Sequence, residues 1–242
     1  MTFNRRILIT GASSGIGETA CKHFVKIGYD VIGVSRRKLE LEHENFKYLN
    51  CDIGDIKSIE NLRLDHNLNQ RIDTLINCAG LTIPDEGEQS LDTFKKTLDI
   101  NLIGTYAMIL NFIPNIKQSN YGSIINVASI GGMVGFGNNP AYGASKAALI
   151  NLSKTLAVDY AKLNIRVNSV SPGYFKTKMT EASYNDKRLK KIRENNTILG
   201  RYGDPQELMG VFEFLSSKKA SYITGQNIVV DGGWTSKGMI EC

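Results

Sequence analysis

The sequence predicts an α/β fold in one domain, a doubly wound parallel sheet with helices on both faces, spanning residues 1–242. Three observations predict it. Short apolar runs alternate with longer helical patterns from end to end, with no Pro-, Ser- or Gly-rich linker and no internal repeat. The apolar fraction of 42% suits strands buried on both faces, as a parallel sheet requires. The first apolar run passes directly into a glycine-rich turn and then a helical pattern, the order of a nucleotide-binding unit.

Taken in order, residues 6–10 (Arg-Ile-Leu-Ile-Thr) read as a buried strand that leads into Gly11-Ala12-Ser13-Ser14-Gly15-Ile16-Gly17 and a helix from about Glu18. Glycines make the turn and let a phosphate approach without a Cβ in the way. The helix N-terminus offers free N–H groups and a partial positive charge to a pyrophosphate. The spacing is Gly-x-x-x-Gly-x-Gly rather than Gly-x-Gly-x-x-Gly, so position carries more weight here than the pattern. Residues 30–34 form the second strand, ending at Ser35, Arg36 and Arg37, where the chain would face the adenosine ribose. An acid at that point bonds the 2′-hydroxyl of NAD, whereas an arginine offers a charge-assisted fork to a 2′-phosphate. The missing acid and the two arginines favour NADP over NAD. Residues 46–49 and 73–76 read as further strands, ending in Cys51-Asp52-Ile53 and Asn77-Cys78-Ala79-Gly80. Ligands in such sheets lie beyond the carboxyl ends of the strands. Asp52 is then placed to meet the adenine amino group, and the small Ala79-Gly80 pair lets a cofactor pass closely.

The chemistry concentrates further along. After Pro140 the chain reads as a helix, and Tyr142 and Lys146, four apart, share one of its faces, with Ser129 upstream. A free phenol, with a pKa near ~10, is a poor base at neutral pH; a fixed cation nearby favours the phenolate and lets the phenol exchange protons.

With these residues assembled, the chain resembles the short-chain dehydrogenase/reductase family, of the small single-domain Rossmann type. The resemblance runs from Thr10-Gly11-Ala12-Ser13-Ser14-Gly15-Ile16-Gly17, like the family's cofactor turn, to Asp231-Gly232-Gly233, like its C-terminal signature. Asn77-Cys78-Ala79-Gly80 is similar to the Asn-Asn-Ala-Gly motif with one Asn replaced by Cys. Asn101 resembles the helix asparagine, and Ser129, Tyr142 and Lys146 match the catalytic set in order and spacing. Pro172-Gly173-Tyr174-Phe175-Lys176-Thr177 resembles the segment that holds the nicotinamide carboxamide, with Phe175 where a smaller aliphatic residue is commoner. The resemblance implies that Ser129 polarises the substrate oxygen and Tyr142 exchanges the proton. Lys146 would lower the Tyr142 pKa and bind the nicotinamide ribose, while Asn101 kinks its helix and completes a proton relay through a water. It implies a pocket built from the loop 81–90, the stretch 130–139 and a substrate lid at about residues 177–200, and a homo-oligomer, most often a tetramer, built on the helices carrying Tyr142 and Asn101. The substrate would be a ketone and secondary alcohol pair, of the sugar-acid or polyol type or, alternatively, a 3-oxoacyl group on a carrier protein. A non-catalytic NADP-binding sensor is the reading from another class, and the presence of all four catalytic residues weighs against it.

Composition excludes more than it adds. His23, His43 and His66 all lie in the first third, away from every motif, which disfavours a Ser-His-Asp hydrolase or a histidine-ligated metal. Cys21, Cys51, Cys78 and Cys242 are widely spaced, as buried free thiols would be, and indicate neither a zinc site nor a disulfide framework. A net charge of +5, with no basic stretch interleaved with aromatics, gives no support to nucleic-acid binding. No apolar stretch is long enough for a membrane span and no signal-peptide core precedes the first strand, so a soluble cytoplasmic protein is expected. One local charge cluster stands out: Lys187, Arg188, Lys190, Lys191 and Arg193 read as a solvated helix face or as a device attracting an anionic substrate. The apolar residues of 144–161 (Ala147, Leu149, Ile150, Leu152, Leu156, Val158) occupy more of the helix circumference than one buried stripe needs, which points to a second covered face.

Overall fold

The computed structural model describes residues 5–65, 68–84 and 90–237. His66, Cys242 and residues 85–89 of the loop 81–90 expected to help build the pocket lie outside the described residues. Seven strands, β1 (Arg6–Thr10), β2 (Asp30–Ser35), β3 (Phe46–Asn50), β4 (Thr74–Asn77), β5 (Gly122–Val127), β6 (Ile165–Pro172) and β7 (Asn227–Val230), form one sheet. The strand order is β3-β2-β1-β4-β5-β6-β7 and every pairing is parallel. The two halves wind outward from the β1/β4 junction, so the crossover connections leave a crevice beyond the C-terminal ends of these two strands.

Parallel strands joined by helices are covered on both faces, and the side-chain alternation shows it. In β1, Ile7 and Ile9 enter one apolar cluster and Leu8 the other; in β5, Ile125 and Val127 part from Ile124 in the same way. The first cluster is closed by Phe24 of α1 (Gly15–Lys26) and Phe212 of α8 (Met209–Ser216). The second is closed by Met108 and Phe112 of α4 (Thr105–Ile116) and Leu156 of α5 (Pro140–Tyr160). The remaining helices are α2 (Ile56–Asp65), α3 (Leu91–Leu98), α6 (Glu181–Asn185) and α7 (Lys187–Asn195). Among the described residues no helix is long and apolar enough to cross a membrane.

Strands β2 and β3 each run one residue beyond expectation, to Ser35 and Asn50, and two further boundaries differ. Helix α1 starts at Gly15 rather than near Glu18, because Ser14 is the last extended residue and its carbonyl already accepts from the Glu18 N–H. The strand expected at 73–76 is shifted by one residue: β4 runs Thr74–Asn77, while Asp73 is drawn off by its side chain, which accepts from the Arg6 N–H and the Ser119 hydroxyl. Helices α3 and α4 form one rod interrupted by a widened π-helical turn, Asp99–Gly104. Such a bulge changes the direction in which a side chain points and is often found at functional sites.

Candidate active site

The glycine turn is folded on itself and against the end of β4. Gly11 has φ +71°, and a Cβ there would lie 2.8 Å from the Ala79 nitrogen; a Cβ on Gly17 would lie 2.3 Å from the Gly11 carbonyl oxygen. Only glycine fits either position. Thr10 ties the turn to the neighbouring strand end by accepting from the Ala79 N–H at 3.1 Å. Ser13, Ser14 and Ile16 are half-buried around the start of α1, and Thr177 packs over Gly15. The turn therefore presents the N-terminus of a helix, with small or absent side chains, at the crevice, an arrangement suited to an anion.

At the adenosine end, Ser35 is buried and donates to the Arg37 carbonyl at 2.7 Å. Tyr48 donates to the Ser35 carbonyl and Asn50 to that of Arg36, so the backbone is pinned while the Arg36 side chain reaches into solvent. Its guanidinium lies 3.8 Å from the Asp52 carboxylate, with both groups largely exposed. The sequence places Asp52 at the adenine; the structure gives it two partners already, Arg36 and the Gly54 N–H. Ile53 sits in the core, and Arg37 is exposed.

The end of β4 sorts differently from the sequence reading. Asn77, expected at the cofactor, is buried, and its Nδ2 donates to Asn126 of the paired strand at 2.9 Å; Asn126 in turn donates to Ser153 of α5. Its side chain braces the sheet against α5, and the cleft wall is made by Cys78 and Gly80 instead. The Cys78 thiol is pushed up to about 12 by burial and stays protonated, with Lys146 pulling weakly the other way.

The catalytic candidates converge on a cleft of about 500 Å³ at the C-terminal edge of the sheet. Ser129 follows β5, and its Oγ accepts from the Gly131 N–H at 3.0 Å, which fixes its rotamer. Pro140 starts α5, and one turn of that helix stacks Tyr142 and Lys146, with the Lys146 Nζ 5.7 Å from the Tyr142 ring centre. Ser129 hydrogen-bonds the Tyr142 hydroxyl. Lys146 is 4% exposed and donates to the Val127 carbonyl at 2.7 Å. Asn101, fully buried in the π-helical turn, accepts from the Leu81 N–H at 2.6 Å and donates to the Leu81 carbonyl and to Ser145. Gly80 fills the gap: a Cβ there would stand 3.4 Å from Lys146 Nζ and 3.5 Å from Asn101 Oδ1. The expected kink at Asn101 is present as the π-helical turn.

The electrostatics depart from expectation in one respect. Burial pushes the Tyr142 phenol up, not down; its hydrogen bond from Ser129 opposes the shift, and the nearby Tyr174 hydroxyl adds to it. Burial also pushes the Lys146 ammonium down to about 8, so the cation that is to stabilise a phenolate is itself strained by desolvation.

Pro172 and Gly173 form the far wall of the cleft. Gly173 packs on Asp231, whose carboxylate accepts from the N–H groups of Gly233 and Thr235, so the C-terminal Asp-Gly-Gly serves as a buttress. Phe175 is accommodated because its ring turns into the core against Gly203, where a Cβ would stand 2.5 Å from the ring. The stretch 130–139, expected at the pocket, supplies Phe136 and Asn139, which donates to Thr82; what sequence reasoning missed is the packing of Phe136, Tyr174, Tyr202 and Trp234 with Arg193 lodged among them. Lys190 and Arg193, three apart on α7, turn inward onto aromatic rings, while Lys187, Arg188 and Lys191 are exposed as a solvated face would be.

Comparison with known proteins agrees with this arrangement. A family model described as enoyl-(acyl carrier protein) reductase, of the short-chain dehydrogenase/reductase type, matches residues 11–235. The chain is 36% identical over 233 residues to a 3-oxoacyl-[acyl-carrier-protein] reductase of Rickettsia conorii, covering 93% of this chain and 95% of that protein. The chain belongs to the short-chain dehydrogenase/reductase family. Two solved structures of this type superimpose along nearly the whole length. 4-Hydroxyisoleucine dehydrogenase complexed with NADH is 36% identical, with a TM-score of 0.91 over 97% of this chain and all of that one. The ligand-free aldohexose dehydrogenase of Thermoplasma acidophilum is 29% identical, also at 0.91, over 99% and 97%. This short-chain dehydrogenase/reductase is thus an oxidoreductase of a family that works with nicotinamide cofactors.

The buried Lys146 makes a stability prediction. Its ammonium is charged in both folded and unfolded chains below about pH 8, and neutral in both above its ordinary 10.5, so its desolvation penalty is complete below pH 8 and fades as pH rises between those values. Lys146→Met should therefore be more stable than wild type at pH 7, by about 1–3 kcal/mol after the lost Val127 hydrogen bond is counted. That gain should shrink toward pH 10.5. Calorimetric melting of both proteins across this range checks it; a variant less stable at pH 7 would contradict the assignment.

Proposed function

We propose that the protein is an NADP-dependent oxidoreductase that interconverts a ketone and a secondary alcohol, of the sugar-acid or polyol type. The observation that carries the proposal is the convergence of Ser129, Tyr142 and Lys146 on one cleft, with Asn101 buried behind Gly80 and Ser145, beside a glycine turn that only glycine can form. The nicotinamide cofactor supplies the hydride, and the chain's own residues do the rest. Ser129, held by Gly131, positions the substrate oxygen next to Tyr142, which donates its proton as the carbonyl becomes an alkoxide. A phenol raised by burial is a poor base but holds its proton for that donation, which suits the reductive direction. The Lys146 ammonium, fixed by Val127, offers its remaining N–H groups toward Gly80, where a ribose hydroxyl would lie. Asn101 and the Leu81 carbonyl provide the outer end of a proton path. Residues 177–200, containing α6 and α7, would form the substrate lid.

NADP is favoured by Arg36 and the absence of an acid at Ser35. The Arg36–Asp52 pair is exposed and worth about 0–1 kcal/mol, so a 2′-phosphate can displace it. A second reading, reduction of 3-oxoacyl groups on a carrier protein, rests on the name of the Rickettsia relative. A non-catalytic sensor is opposed by the intact catalytic set. Following NADPH absorbance with ketones, sugar acids and acyl thioesters at neutral pH separates the three: oxidation with one class names it, and none with any would favour the sensor.

Three outcomes are expected. Tyr142→Phe should lose nearly all turnover while binding NADPH about as well as wild type, by stopped assay and fluorescence titration; activity within about tenfold of wild type would remove Tyr142 as the acid. NADPH should bind more tightly than NADH by about 1–3 kcal/mol, and Arg36→Ala should erase most of that difference; equal wild-type affinities would sink the NADP reading. The protein should form a homo-oligomer, most often a tetramer, because Ile103, Tyr106 and Leu110 leave an apolar stripe beside α5, where Val158 is 77% exposed. Light scattering at micromolar concentration should give a multiple of the 26.8 kDa chain, reduced by Val158→Asp; a monomer would refute it.

A further inference from the structure

Arg193 is set apart from the other basic residues of α7 by where its charge lies. The guanidinium is 4.5 Å from the centre of the Tyr174 ring and donates to the Tyr202 hydroxyl at 3.3 Å. It lines the same cleft as Ser129 and Tyr142. Tyr174 lines that cleft together with Tyr142, and Arg193 lies against the Tyr174 ring. Tyr202 is buried and is steadied by Tyr184 and Ser183. The guanidinium is thus held among aromatic rings and is no loose surface chain.

No described carboxylate lies within ion-pair distance of Arg193: Glu194, the nearest in sequence, turns to Lys190, and Asp186 caps the start of α7. Phenol hydroxyls and ring faces satisfy part of a guanidinium's five donors but leave its charge uncompensated. A half-buried cation, oriented by rings and open to a cleft, is suited to accept a planar anion through its remaining N–H groups.

We propose that Arg193 anchors a carboxylate of the substrate, so that the reacting ketone or alcohol belongs to an acid whose carboxylate lies a few atoms from the reacting carbon. This rests on the oxidoreductase reading above and names its substrate class. A lysine would supply charge without the planar fork, and the aromatic frame would seat it poorly.

The test uses the full chain with NADPH and matched probes: acetoacetate against acetoacetamide, and 4-oxopentanoate against 4-oxopentanamide. The wild type should prefer each acid by at least about tenfold in kcat/KM, carried mainly by KM, the effect of a hydrogen-bonded charge. In Arg193→Gln the acid-to-amide ratio should fall close to one, and Arg193→Lys should recover part of it. An acid preference that survives Arg193→Gln, or acids and amides that fall together, would overturn the proposal. So would a neutral acyl thioester that outperforms every acid and is indifferent to Arg193→Gln. Calorimetric titration of the NADPH complex with butanoate, butanamide and inorganic phosphate reads the site without turnover. Butanoate binding that Arg193→Gln abolishes supports the anchor even if no ketone reacts, in which case the oxidoreductase reading alone fails. No butanoate binding in a chain that does reduce ketones refutes the anchor, and phosphate binding more tightly than butanoate replaces the carboxylate with a phosphorylated substrate.

Discussion

A buried cation governs the geometry of this site. Lys146 is 4% exposed, has no described carboxylate partner and is held by one carbonyl, that of Val127. Such a group is destabilising on its own, and its lowered pKa is the measure of that. Its surroundings are arranged around it: Gly80 lies beside its ammonium, Asn101 turns inward at a π-helical bulge, and Ser145 links Asn101 to α5. Each of these features belongs to a different element, so β4, β5, the kinked rod and α5 must all be in place before Lys146 can sit beneath Tyr142.

That convergence depends on the sheet. The β1/β4 junction is where the winding reverses, so the ends of β1, β4 and β5 open into one crevice. Register then sets position: Thr10 pairs with Asn77, and Asn77 with Asn126, so the glycine turn, the Ala79-Gly80 segment and the approach to Ser129 leave the sheet at the same level. The Asn77–Asn126–Ser153 chain locks that level to α5. A polar ladder inside an otherwise apolar sheet contributes modestly to stability but fixes one register among several.

Much of this was legible in the sequence because it is local. The first strand, the glycine turn and the Tyr142–Lys146 pair are each set by residues within a few positions of one another, and β1 runs over the residues expected. The illegible parts are long-range. Asn77 looks like a cofactor ligand until Asn126, 49 residues away, takes its amide. The direction of the Tyr142 shift depends on how deeply α5 is covered, which no spacing reveals. Arg193 hides in a run of like charges, and only the packing of Tyr174 and Tyr202 singles it out.

The two sides of the cleft are built on different principles. The catalytic side consists of strand ends and a 21-residue helix buried along one face, where every functional atom has a covalent or hydrogen-bonded tether to the core. The opposite side is carried by α6 and α7, of 5 and 9 residues, which bury Ser183 and little else and are held through cation–ring contacts of Lys176, Lys190 and Arg193 with Tyr184 and Tyr174. Contacts of that kind are individually small, so this side is less tightly fixed than the strand ends. Proton transfer needs sub-ångström placement and belongs on the rigid side. Recognition of a substrate's charge tolerates more slack and can sit on the yielding one, so substrate choice can change in α7 without disturbing Lys146.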